Sequence, residues 1–219
     1  MAIDKQAVLN GLKELREKSP KRNFKQTIDL VITLKDLDLK KPEQQVDLFL
    51  NLHYNRGKKI KVCALVGPEL FDQAKEVCDK AIVQDQFDFY AKDKKAVKKL
   101  ADEFDFFIAQ ATIMPKIATV FGKVLGPKNK MPNPRAGCVV PPNANLKPLY
   151  ERLQKTVRVM AKTQLMAQLM VGKEEMKDEE IADNIMVIYD ALKHALPESE
   201  NNIKAVFIKF TMSKPVKIG

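Results

Sequence analysis

Few side chains in this sequence could make or break bonds. The imidazoles are His53 and His194, and the thiols are Cys63, Cys78 and Cys138. No two cysteines form a C-x-x-C pair, and the five residues lack the short clustered spacing that a zinc site needs. The cysteines read as buried small hydrophobes in a reducing compartment. His53 stands beside Tyr54 at a strand end. His194 falls near the end of a helix, where contact with the helix dipole accounts for it. With two histidines no Ser-His-Asp set is in view, and no acid/base pair stands out among the carboxylates. The first strand of an alternating β/α region is followed by one glycine, Gly67, where a dinucleotide fingerprint needs three. "GKVLGPKNK" has three residues between its glycines instead of four, and Pro127 stands where a phosphate loop would place lysine.

That same stretch has another possible use. From Gly122 to Gly137 it carries Lys123, Lys128, Lys130 and Arg135 and no acid. Prolines 127, 132 and 134 fix φ and lower the entropy of holding those charges. Glycines 122, 126 and 137 permit positive φ or close backbone approach. Such a segment suits phosphates, and it also suits a solvated connecting loop. The charge distribution is local. The net charge is +10, and residues 116–162 hold ten Lys or Arg against one acid, Glu151. A basic balance favours polyanionic partners.

Two kinds of element frame these residues. A helix is predicted over roughly Asp4 to Lys18, with Val8, Leu12 and Leu15 on one face and Ser19-Pro20 as its stop. "TIDLVITLK" and "VDLFLNL" alternate apolar and polar residues, as strands with one buried face do. From Ile60 the style changes. "VCALV" is continuously apolar, as in a strand covered on both faces, and strands then alternate with helices of about 10 residues. After the basic loop come a helix over "NLKPLYERLQK" and strands over "TVRVMAK" and "LMAQLMVG". A long helix follows, with Asp178 as its expected N-cap and Ile181, Ile185, Ile188, Tyr189 and Leu192 on one face. The strand "IKAVFIKFTMS" closes the pattern. The expected fold is α/β in two domains. Residues 1–59 and 156–219 form a discontinuous α+β sandwich of split β-α-β type. Residues 60–155 form an inserted, doubly wound, Rossmann-like domain that carries the basic loop. No run of about 18 apolar residues occurs, so no membrane partner is expected. The charged N-terminal helix lacks the apolar core of a secretory signal, which favours the cytosol.

The run "GKVLGPKNKMPNPRAGCV" closely resembles the signature of the family of large-subunit ribosomal protein number one, G-x-x-L-G-P-(K/R)-x-x-(M/L)-P-N-P-(K/R)-x-G-(T/C)-V. "NFKQTIDLVITLKDLDLKKPEQQVD", "VGKEEMKDEEIADNI" and "FTMSKPVKIG" agree with the family in order and spacing. The resemblance spans essentially the whole chain and looks closest to archaeal members. It implies the same two domains, no catalytic site, no cofactor and no metal. It implies large-subunit ribosomal RNA as partner at the mobile stalk, a part in releasing deacylated tRNA from the exit site, and repression through the protein's own messenger RNA. A free monomer in the cytoplasm is expected. The family's RNA surface maps here to Phe24, Thr27, Thr211 and Met212. By itself Phe24 would read as core, and Thr211 and Met212 as an ordinary strand end. Thr hydroxyls suit 2′-hydroxyls or phosphates, and Phe and Met suit sugar or base faces. Lys21, Arg22 and Lys25 flank Phe24, and Ser213 follows Met212. Arg158 and Lys162 share a strand face and are chosen by charge. The signature loop contributes Gly122, Lys123, Gly126, Pro127, Lys128, Lys130, Pro132, Asn133, Pro134, Arg135 and Gly137. Two departures stand out. Ser213-Lys214-Pro215 replaces the Gly-Pro that many members have after Thr-Met, and Gln168 stands where bacterial members have histidine. The competing expectations are a small-molecule or nucleotide-binding enzyme on a Rossmann-like fold and a general RNA chaperone.

Overall fold

A computed structural model describes residues 3–219. The chain folds as two compact units, Met1–Lys58 with Lys155–Gly219, and Lys59–Gln154.

In the first unit, α1 (Lys5–Lys18) buries Val8, Leu12 and Leu15. β1 (Thr27–Leu34) alternates strictly, with Ile28, Leu30, Ile32 and Leu34 inward. It lies between two antiparallel neighbours, β8 (Met166–Lys173) and β9 (Ile203–Phe210), and β10 (Val216–Lys217) completes the sheet in the order β10-β9-β1-β8. β2 (Val46–Asn51) and β7 (Thr156–Ala161) form a separate antiparallel ribbon. The inner sheet face packs with α1 and α7 (Asp178–Ala195) in one core, to which α7 contributes Ile181, Ile185, Ile188, Tyr189 and Leu192. Asp178 is not the N-cap of α7. Lys177 has the extended cap conformation and Asp178 is the first helical residue. Its carboxylate accepts from Arg16 Nε and Nη2 at 2.9 and 2.7 Å, so it ties α1 to α7 rather than closing the helix on itself.

The second unit is a parallel sheet in the order β4-β3-β5-β6, formed by β3 (Val62–Val66), β4 (Lys80–Val83), β5 (Phe106–Gln110) and β6 (Val139–Val140). Every residue of β3 is buried, as a strand covered on both faces requires. The connections are helical: α2 (Pro68–Val77), α3 (Phe87–Lys92), α4 (Lys94–Glu103) and α5 (Met114–Leu125). α6 (Leu146–Lys155) follows β6. Asp93 caps α4, accepting from the amides of Lys95 and Ala96. α5 keeps Ile117, Phe121 and Leu125 buried at i, i+4 and i+8. Gly122 and Lys123 therefore belong to its last turns, not to a loop.

Candidate nucleic-acid interface

One end of the four-stranded sheet brings together the residues from opposite chain ends. Thr27 opens β1, and the chain turns back after Phe210 at the end of β9. Ser213 N–H donates to Phe210 O at 3.2 Å, so Thr211 and Met212 occupy the corners of a turn and not the strand itself. Ser213 Oγ closes that turn from both sides, accepting from Phe210 N–H at 2.9 Å and donating to Lys214 O at 3.1 Å. A side-chain hydroxyl thus shapes the backbone of the Ser213-Lys214-Pro215 segment.

Thr27 and Thr211 are locked together. Thr211 N–H donates to Thr27 O at 3.1 Å, Thr27 N–H donates to Thr211 Oγ1 at 3.2 Å, and the two hydroxyl oxygens are 2.9 Å apart. One hydroxyl donates to the other, so the pair keeps one O–H proton for an outside acceptor in either arrangement. Gln26 is the buried hub beneath. Its side-chain Oε1 accepts from Met212 N–H at 3.2 Å, its own N–H donates to Glu174 Oε2 at 3.2 Å, and its carbonyl accepts from Glu174 N–H at 3.0 Å. Arg16 in turn donates to Glu174 O at 2.9 Å. Phe24 and Met212 stay outside the core. They are 51% and 59% exposed, although both are large and apolar. Single exposed apolar residues are ordinary; two of them flanking a fixed hydroxyl pair form a small surface that water covers poorly.

The cations differ in their freedom. Lys21 and Arg22 are exposed beside Phe24 in a shallow concavity shared with Lys25, Glu174 and Glu175, and Lys25 pairs with Glu175. Arg158 and Lys162 converge on one carboxylate. Arg158 Nε and Nη2 lie 2.7 and 2.9 Å from Asp47, and Lys162 Nζ lies 2.8 Å away. The Arg158 hydrogen bonds hold the Asp47 carboxyl down at about 2. The Arg158 guanidinium also lies 5.1 Å from the Phe49 ring centroid. Both cations are engaged within the β2–β7 ribbon.

In the second unit the signature segment is stapled. Gly126 needs its missing Cβ because that atom would sit 2.7 Å from Gly122 O. Gly137 adopts φ +73°, and a Cβ there would collide with the Arg152 guanidinium, which donates to Ala136 O at 3.0 Å. Gly122 meets nothing and needs no such freedom. Pro132 is buried, Pro127 and Pro134 are exposed, and Asn133 Oδ1 accepts from Arg135 N–H at 2.9 Å. Lys130 Nζ donates to Ala101 O and Phe104 O at 2.7 and 2.8 Å, satisfying carbonyls at the end of α4. Lys128 pairs with Asp102. Lys123 and Arg135 are exposed and make no ion pair among the described residues. Half of the segment's positive charge therefore holds the fold together.

No group of three or more potential metal ligands exists among the described residues. Burial raises all three thiols, with Cys78 and Cys138 at about 11, so none is a ready thiolate. Among the described residues no helix is long and apolar enough to cross a membrane.

Comparison with known proteins decides the family. The model of the Ribosomal protein L1p/L10e family matches residues 14–214. The chain belongs to this family. It is 42% identical over 215 residues to the large ribosomal subunit protein uL1 of Methanobrevibacter smithii, covering 97% of this chain and 99% of that protein. It is 40% identical to uL1 of Methanothermococcus thermolithotrophicus, over 99% of both chains. With uL1 of Thermococcus kodakarensis the identity is 38%, over all of this chain and 99% of the other. The sequence is thus of archaeal L1 type. These relatives are named as ribosomal proteins and not as enzymes, which removes the small-molecule enzyme from consideration.

Proposed function

We propose that the chain is a component of the large ribosomal subunit and holds ribosomal RNA on the sheet end formed by Phe24, Thr27, Thr211 and Met212. The hydroxyl pair with its free proton, placed between two exposed apolar side chains, carries this reading. A 2′-hydroxyl or phosphate oxygen would accept that proton, and Phe24 and Met212 would cover sugar or base faces. Ser213 contributes by shaping the turn, because its donor and one acceptor position are already used. Lys21 and Arg22 supply phosphate contacts beside Phe24, while Lys25, paired with Glu175, contributes less. Lys123 and Arg135 are free to add salt-sensitive affinity from the second unit. Lys128, Lys130, Arg158 and Lys162 are held by other groups and contribute little. Phosphate contacts give affinity without identity, and shape-matched polar contacts give identity.

The cytoplasmic ribosome is the place of action, and the free protein is a monomer. In the same reading the protein sits at the mobile stalk, takes part in the release of deacylated tRNA, and represses translation by binding a similar fold in its own messenger RNA. The division of labour follows the two compact units: Met1–Lys58 with Lys155–Gly219 recognises RNA, and Lys59–Gln154 presents the basic segment. Titration of the full chain against the host's large-subunit ribosomal RNA, its own messenger leader and a random RNA duplex, each across salt, tests this. Ribosomal and messenger RNA are expected to compete for one site and to exceed the duplex at every salt. Equal affinity for all three refutes specific recognition.

A further inference from the structure

Beside Met212 lies a groove that the interface described above does not use. It runs between the last turn of α1 and the chain that links β9 to β10, and its walls include Leu15, Lys18, Ser19, Met212, Lys214 and Lys217. Three features point to an anionic occupant. Glu14 is the one acid on its wall, and Lys18 neutralises it at 2.5 Å. Lys214 and Lys217 are exposed and have no carboxylate partner among the described residues, so the groove keeps a net positive charge. Ser19 Oγ is enclosed and has no hydrogen-bond partner. An enclosed hydroxyl without a partner is costly and uncommon. Rotation of the Ser19 side chain, which lines the groove, would turn this unpartnered donor outward, where a phosphate oxygen would share it with the two free ammonium groups.

We infer that this groove holds a backbone phosphate of the RNA strand that passes Met212, with Ser19, Lys214 and Lys217 as its contacts. The inference rests on the RNA-binding reading above. The groove is continuous with that surface, because Met212 lines it. Its geometry is also fixed, because Ser213 Oγ holds the Lys214 carbonyl and Pro215 restricts the backbone that follows.

The test uses the full chain and two probes, the host's large-subunit ribosomal RNA and a random RNA duplex. Lys214→Gln with Lys217→Gln is expected to shallow the dependence of log K on log salt by roughly 0.7–1.8, the value for one or two released phosphates. Lys40→Gln with Lys41→Gln removes the same charge beyond the opposite end of β1, and is expected to leave the slope unchanged. Ser19→Ala is expected to weaken ribosomal RNA several-fold at every salt with the slope intact. An unchanged slope in Lys214→Gln/Lys217→Gln, or an equal fall in the Lys40/Lys41 control, overturns the groove site. The two glutamine variants change exposed positions only, so they decide the matter even if Ser19→Ala alters folding. A wild-type protein with no preference for ribosomal RNA overturns the functional reading and the groove with it. A preserved preference with an unchanged slope overturns the groove alone.

Discussion

Thr211→Val separates recognition from folding at the sheet end. Valine keeps the β-branched shape but removes Oγ1. In the free protein that oxygen accepts from Thr27 N–H at 3.2 Å and lies 2.9 Å from the Thr27 hydroxyl. These groups are near the surface, and water can replace the lost acceptor. The folding cost is therefore below about 1 kcal/mol, a fall in melting temperature of roughly 2–4 °C for a chain of this length. On RNA the same oxygen is sealed from water, and an RNA group loses its partner. That costs about 1–3 kcal/mol, or roughly 5- to 150-fold in Kd. Thr27→Val and the double variant complete a cycle. Because each single variant keeps one hydroxyl proton that can turn outward and the double variant keeps none, the double variant should lose more than the sum of the singles. Fluorescence titration with ribosomal RNA and thermal unfolding of the four proteins are the assays. Wild-type binding by Thr211→Val, or strict additivity of the two losses, refutes the shared-proton argument.

Four further outcomes follow from named contacts. Gln26→Leu removes the acceptor of Met212 N–H with little change of volume; ribosomal RNA affinity should fall at least as far as for Thr211→Val, with a stability loss of about 1–2 kcal/mol by thermal unfolding. Lys130→Met frees the carbonyls of Ala101 and Phe104, so stability should fall by about 1.5–3 kcal/mol while the salt slope of RNA binding stays put. The Asp47 carboxyl is depressed when folded, to about 2 from an ordinary 3.8. Its stabilising contribution is therefore full above pH ~4 and lost as pH falls through ~2, and Asp47→Asn should flatten acid unfolding in that window. Lys123→Gln with Arg135→Gln should lower the salt slope without changing the preference for ribosomal RNA over random duplex, as read from paired titrations.

Strong periodicity made much of the fold legible. β1 buries Ile28, Leu30, Ile32 and Leu34 as its alternation requires, and the unbroken apolar run of β3 is covered on both faces. β6 and β10 have two residues each and exist through their pairing, so no period could reveal them. α3 is a six-residue helix that buries only Phe87, too short for a repeating face. Gly122 suggested a loop, but Phe121 and Leu125 carry the α5 stripe through it. At the candidate site, residue types and order brought Phe24, Thr27, Thr211 and Met212 into view. The role of Gln26 was hidden because its partners, Met212 and Glu174, lie far off in sequence. The same distance concealed the occupation of Lys128 and Lys130 by α4, and of Arg158 and Lys162 by Asp47. Charge counting sees the cations and not what neutralises them.

A photoreactive phenylalanine at position 24 puts the central claim to its most direct test, with position 89 as comparison. Phe24 and Phe89 are similarly exposed, at 51% and 63%, in the first and second units respectively. Irradiated with the host's large-subunit ribosomal RNA, the protein labelled at position 24 should cross-link to one RNA segment, and random duplex should not compete. The account is contradicted if position 24 gives no cross-link, or if random duplex abolishes it as well as ribosomal RNA does.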